Sequence, residues 1–264
     1  MNIKSYNNSN FNFIKFPKQL NIKPFNKSGR SFGTITCRHK EKFKISKMLQ
    51  ILEFNYANYS INAPQALVIA TKVDYKRHCL LSLIMYINST FKGKKRVIIQ
   101  TDSILIGDIL TFTTKLPCKK GSSRELKFFP IGSLVHNLEE TFNKGAKLAR
   151  TGGTFAKIIF HKFNSVIVKL PSGQYKLLDN RCYAVLGITS KISKYTKNMG
   201  YYRKIGIRPI VRGVAMNSID HPHGGGEGKS SVGLKTIKTP WGKYNSGVLT
   251  RKINKIKSNY IIKI

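Results

Sequence analysis

The sequence predicts a mainly β protein, with two small all-β units set between basic arms, and three observations predict it. Short runs of β-branched and aromatic residues recur from Ala66 to about residue 190, separated by turn-formers. Residues 1 to about 62 hold only Glu41 and Glu53 as acids, and no acid lies beyond Glu227. Both ends are dense in lysine, and the C-terminal one is also rich in Gly and Pro, so neither can bury much of its own surface. The division that follows is a basic extension over 1–62, a first β unit over 63–121, a second over 122–195, and an extended Gly-rich arm over 196–264.

Taken in order, the first 62 residues are Asn-rich, with Gly29 and Gly33 flanking Arg30. Such a segment orders on its partner rather than alone. From Ala66 come ALVIATKVDY, CLLSLIMYI, RVIIQT and IGDILTF, four or five strands in under sixty residues, with turns at Lys92-Gly93-Lys94 and Thr101-Asp102-Ser103. That density of short strands predicts a small barrel. Leu116 to Ser123 reads as a linker. A second set follows, GSLVHNLEE, TFAKIIFHK, SVIVKL, QYKLLD and CYAVLGI, joined by Pro171-Ser172-Gly173 and by loops carrying Lys144-Gly145 and Gly152-Gly153. It is about as long as an SH3-like barrel. After Lys191 the strands give out, and a chain ending RKINKIKSNYIIKI is expected to extend into a groove of its partner rather than form a third domain.

Charge narrows the partner. The chain has 264 residues with 47 Lys and Arg against 11 Asp and Glu, a net charge of +36. Self-repulsion of that size is relieved beside a polyanion, whose condensed counterions a basic surface displaces. Its longest apolar run, Leu80 to Ile87, is far short of the roughly 18 residues a spanning helix needs, so no membrane insertion is expected. Nucleic acid is the leading partner. Four cysteines, Cys37, Cys79, Cys118 and Cys182, form no C-x-x-C pair, which signals neither a zinc knuckle nor a disulfide framework and suits a reducing compartment. The N-terminus has no apolar core of a secretory signal and no Arg before Arg30, unlike a transit peptide.

One motif carries most of the chemistry: Asp220-His221-Pro222-His223-Gly224-Gly225-Gly226-Glu227-Gly228-Lys229-Ser230. A phosphate loop would need a glycine where His223 stands, with a strand before and a helix after, and neither flank reads that way. A metal site would draw on Asp220, His221, His223 and Glu227, yet zinc sites usually recruit ligands from two rigid elements and no third His or Cys is near. In a third reading the glycines let the backbone press against another surface while Pro222 stiffens the entry, and the imidazoles hydrogen-bond or stack within RNA. A fourth is a solvated loop.

The flanks decide among these. Arg208-Pro209, Val211-Arg212-Gly213 and Ala215-Met216-Asn217 lead into the motif, and Thr239-Pro240-Trp241-Gly242 follows it. Together, RPxVRGxAMNxxDHPHGGGEG and TPWG resemble the C-terminal pattern of the large ribosomal subunit protein two family, the universal uL-two family. Lys27-Ser28-Gly29-Arg30, Gly33-Thr34-Ile35-Thr36 and Arg38-His39 are similar to its N-terminal KSGGRNNNGRITTRH. PIGSLVHNLE, KGAKLARTGGTFAKII and SGQYKLLDNRCYAVLG resemble its PVGSTVHNVE, LAR and SGE...CRATLG stretches. The likeness runs from about Lys27 to Trp241.

What the resemblance implies is an OB-fold barrel followed by an SH3-like barrel, with extended arms threaded into large-subunit rRNA near the peptidyl-transferase region. It implies a structural role in translation, with neighbouring large-subunit proteins and the small subunit as further partners. No catalytic residue, no protein-held metal and no cofactor are expected, beyond structural Mg²⁺ shared with rRNA. Arg77 and Arg150 match arginines of the family's YDPNR and LAR, and His221 matches the first histidine of DHPHGGG. The remaining expected RNA contacts are Arg30 and Arg38 in the N-terminal arm, Arg208 and Arg212 before the motif, His223, Gly224, Gly225, Gly226 and Lys229 within it, and Trp241 after it.

Two departures stand out. The family's xGGGHK step is shortened here to Lys40-Glu41-Lys42-Phe43-Lys44, which puts that loop's RNA contact in question. YDPNRSA has become VDYKRHC, which changes the turn presenting Arg77. Competing readings are a metal- or nucleotide-dependent enzyme built on DHPHGGGEGKS and a free RNA chaperone. Lys-, Asn- and Ile-rich usage favours synthesis inside an organelle, the mitochondrion first, with a plastid or reduced bacterium as alternatives.

Overall fold

The computed structural model describes residues 29–40, 64–74, 77–88, 91–112, 119–192, 198–204, 206–249 and 261–262. The leader before residue 27, the shortened step after Lys40 and most of the final basic segment therefore lie outside the described residues, as does Cys118. The chain is mainly β, and it divides into two compact units. One holds the central strands and residues 261–262; the other brings residues 29–40 together with 198–204 and 206–249. Expected to be separate extensions, the two arms thus share one unit, called here the arm unit.

In the arm unit, β1 (Arg30–Ser31) and β2 (Thr34–Ile35) form an antiparallel hairpin whose turn is Phe32-Gly33. Both turn residues have positive φ, 48° and 79°, which matches the twist a two-residue hairpin needs and explains Gly33.

The central unit begins with β3 (Gln65–Asp74), β4 (Cys79–Tyr86), β5 (Lys95–Ile99) and β6 (Ile109–Thr111), an antiparallel sheet ordered β5-β4-β3-β6. These are the four apolar runs expected from sequence. The sheet buries side chains on both faces. Ile84, Tyr86 and Ile98 join one cluster, whereas Leu81, Leu83, Val97 and Ile99 join another. A bulge in β3 between Val68 and Ala70 switches that strand's parity, so that Ala66 and Val68 face the first cluster and Ala70 the second.

The second set comprises β7 (Ser123–Glu125), β8 (Leu134–His136), β9 (Leu138–Glu139), β10 (Ala146–Leu148), β11 (Ala156–His161), β12 (Ser165–Lys169), β13 (Tyr175–Asp179), β14 (Tyr183–Leu186) and β15 (Ile261–Ile262). Seven of them make an antiparallel sheet ordered β15-β13-β12-β11-β8-β14-β7, and β9 pairs with β10. β14 is the wall between two cores: Tyr183 and Val185 pack into the cluster of Ala66 and Phe112, while Ala184 packs with Val135, Ile158 and Val168. Three strands were not expected. β7 starts where the linker was expected to end, β10 replaces a loop, and β15 adds to the edge of β13 where the terminal arm was expected to extend into a partner. The arm unit adds α1 (Met199–Lys204); from 206 to 249 it has no strand and only a 3-10 turn at Gly213–Ala215.

The VHNLE stretch, similar to the family's VHNVE, lies inside the protein. His136 and Glu139 are fully buried. Glu139 accepts hydrogen bonds from the backbone N–H of Gly145 at 3.1 Å and of Tyr183 at 3.0 Å. Burial pushes its carboxyl above the usual range, and backbone donors at Tyr183, Gly145 and Asn143 pull it partly back. The His136 ring shares a 2.8 Å hydrogen bond with the Thr101 hydroxyl, joining the two sets of strands, and burial pushes its pKa down to about 3. An imidazole that stays neutral in the folded chain but titrates near 6.5 when unfolded adds stability in full above pH 6.5, and that stability is lost as pH falls toward 3. Urea midpoints of the full chain should therefore drop between these limits, by up to about 1.4 kcal/mol per pH unit from this group. His136→Gln should flatten that dependence; an unchanged profile would contradict a neutral buried His136.

Candidate nucleic-acid interface

In the central unit two expected arginines come together. Arg77 sits in the turn between β3 and β4, where its guanidinium Nη1 donates to Asp74 Oδ2 at 2.7 Å and its backbone N–H reaches Asp74 Oδ1 at 3.4 Å. Asp74, retained from YDPNR, is buried, so it fixes the turn despite the lost proline. Arg150 lies on the segment between β10 and β11 and donates to the Ala146 carbonyl at 3.3 Å. The two segments are stitched by Gly152 N–H donating to Arg77 O at 2.8 Å. Gly152 is required there, since a Cβ would lie 2.0 Å from the His78 carbonyl oxygen. Burial and the adjacent positive charge of Arg77 pull Arg150 below the usual guanidinium range. A backbone frame thus holds two like charges near one another against their repulsion.

The DHPHGGG motif in the arm unit is a folded loop with its rings inside. His221 and His223 are 8% and 7% exposed, and their rings stack at 4.9 Å. His221 Nδ1 accepts the His223 backbone N–H at 3.0 Å, and His223 Nε2 accepts the Lys238 N–H at 2.8 Å. These acceptors place the ring protons on His221 Nε2 and His223 Nδ1. Burial, then His223 and Arg38, pulls His221 below the ordinary imidazole range. Gly213 seats the His221 ring, for a Cβ on it would fall 2.4 Å from Cε1. Gly224 N–H donates to His221 O and Gly225 N–H to Met216 O, which folds the motif back on AMN. Both imidazoles thus sit inside the loop, against backbone that the glycines bring close.

Around this loop a cavity of about 640 Å³ has Arg38, Arg208, His221, His223 and Trp241 on its walls. Arg38 and Arg208 are exposed, and Trp241 is 56% exposed. Arg30, Arg212, Gly226 and Lys229 are exposed elsewhere in this unit, while Gly224 and Gly225 are half-buried within the loop. Sequence reasoning missed Phe32, which stands fully exposed at the hairpin tip next to Arg30. The signal was an aromatic just before a turn glycine, on a chain whose partner is rich in stackable bases.

Among the described residues no three His, Cys, Asp or Glu side chains group to hold a metal ion, and Gly228-Lys229-Ser230 lies between no strand and no helix. Cys37, Cys79 and Cys182 are free thiols, the last two pushed up to about 12, first by burial. No helix among the described residues is long and apolar enough to cross a membrane.

A sequence model of the family described as Ribosomal Proteins L2, C-terminal domain, matches residues 119–242. Over 259 residues the chain is 38% identical to "Large ribosomal subunit protein uL2c" of Toxoplasma gondii, covering 95% of this chain and 97% of that protein. The chain belongs to the uL2 family of large ribosomal subunit proteins. Other uL2 relatives include the uL2c of Psilotum nudum, 35% identical over 93% of this chain and 87% of its own length, and the uL2cz/uL2cy of Helianthus annuus, 39% identical over 74% and 71%. As a uL2 protein the chain has a structural role in the ribosome and is not an enzyme. Membership implies association with large-subunit rRNA and ribosomal proteins. These uL2 relatives are plastid-type, which supports an organelle ribosome and gives no support to the mitochondrial assignment.

Proposed function

We propose that this uL2 protein binds large-subunit rRNA through two basic surfaces, one on each unit, and orders RNA near the peptidyl-transferase centre and the subunit interface of a plastid ribosome. The observation that carries the reading is the Arg77 and Arg150 pair, two arginines on segments joined by the Gly152 contact, with Asp74 hydrogen-bonded to Arg77 and the Ala146 carbonyl to Arg150. The alternating parity and the shared wall of β14 support reading the two sheets as an OB-fold barrel and an SH3-like barrel, over 63–121 and 122–195. In the arm unit, Arg30, Arg38, Arg208, Arg212 and Lys229 supply phosphate contacts, Trp241 supplies a stacking face, and His221, His223 and the glycines fix the loop that presents them. Any Mg²⁺ at these surfaces would be shared with rRNA phosphates, and the small subunit is the partner across the interface.

Binding of the full chain to a large-subunit rRNA fragment should weaken steeply with salt, log affinity falling by roughly 0.7 to 0.9 per phosphate contacted for each unit of log salt. Arg77→Gln and Arg150→Gln should each lower that slope by about one contact and weaken binding evenly across sequences. A flat salt dependence would sink the proposal.

A further inference from the structure

The arm-unit cavity combines an apolar wall, an aromatic face and cations at one place. Trp241 stands at its wall half exposed, Ile210 and Met216 line it, and Arg38 and Arg208 border it with exposed side chains. At about 640 Å³ it falls within the roughly 300–1,000 Å³ typical of small-molecule pockets, room enough for a nucleotide. His223, also on the wall and 7% exposed, spends its Nε2 on the Lys238 N–H, so its proton is on Nδ1, and that buried atom has no partner. The cavity offers an aromatic face bordered by exposed guanidiniums. Duplex RNA cannot reach such a recess, because its bases are stacked inside the helix. A hydrophobic peptide would bring no negative charge to these exposed guanidiniums.

We infer that this cavity receives an unpaired base of the rRNA, stacked on Trp241, with its flanking phosphates on Arg38 and Arg208. The inference rests on the rRNA-binding reading above and adds the form of RNA recognised. Trp241 is the chain's only tryptophan, so its emission reports this site alone.

The test titrates the full chain with three short RNA duplexes: fully paired, carrying one unpaired adenosine, and carrying an abasic residue in its place. The adenosine bulge should quench Trp241 emission and bind about fivefold or more tightly than the abasic bulge, which has the same phosphates. Trp241→Phe should keep that base preference and Trp241→Ala should lose it, while Arg208→Gln should weaken all three RNAs. Equal binding of the base and abasic bulges with unchanged emission, while salt-dependent binding persists, would overturn the inference and leave the rRNA-binding reading intact. An emission change produced by neighbouring large-subunit proteins but by no bulged RNA would overturn it in favour of a polypeptide occupant. Failure to bind any of the RNAs would overturn both.

Discussion

Glu139→Ala should cost the central unit about 2–6 kcal/mol, because it leaves two buried backbone N–H groups, those of Gly145 and Tyr183, without an acceptor at roughly 1–3 kcal/mol each. Against a typical domain stability of about 5–15 kcal/mol, that is enough to leave much of the protein unfolded. The carboxylate ties β9, where it resides, to the segment entering β10 and to β14, the wall shared by both cores. Glu139→Gln keeps one oxygen but turns an amide donor toward a backbone donor, so it should fall between wild type and alanine. Urea unfolding followed by far-ultraviolet dichroism checks the order. A near-neutral alanine variant would show that Glu139 does not hold these strands.

Gly224→Ala should severely damage the arm unit. Its Cβ would lie 2.2 Å from the Asn217 carbonyl oxygen and 2.7 Å from that of Met216, backbone atoms that cannot rotate aside. The loop must move, and with it the 2.8 Å bond to His221 O and the stacked pair of imidazoles. Overpacking of this kind typically costs about 1–3 kcal/mol, and here it falls on a loop with no strand or helix of its own to absorb the shift. Gly228→Ala is the matched control. Its φ of 64° carries a left-handed penalty of about 1–2 kcal/mol, but its Cβ would meet nothing within 4 Å. Incorporation of the two variants into large subunits should fail for Gly224→Ala and survive for Gly228→Ala; equal behaviour would contradict the close packing of the motif.

The longer central strands were legible because most of their buried side chains are apolar, many of them β-branched. CYAVLGI reads as a strand apolar on both faces, and β14 is buried on both, between two cores. The bulge at Val68 and Ala70 was not legible, since Ala66 to Ala70 is an unbroken apolar run that shows no alternation and only the partner strand reveals the extra residue. β7 and β15 were missed for a related reason: SRE and II are too short to show a period, and pairing partners far along the chain define them. At the candidate site, Arg77 and Arg150 were named from motifs, but the Gly152 contact that joins them is a tertiary fact. The histidines of DHPHGGG were expected to meet RNA because a Gly-rich backbone can press against another surface. The backbone N–H groups of His223 and Lys238 are what make burying them favourable, and no local pattern announces those donors.

Ultraviolet crosslinking of the protein in native lysate, with sequencing of the attached RNA and mapping of the adducted peptides, tests the central claim most directly. Crosslinks concentrated on large-subunit rRNA, with adducts on peptides containing Arg77, Arg150 and Trp241, are the predicted result. Crosslinks scattered over unrelated RNAs, or none at all on large-subunit rRNA, would contradict it.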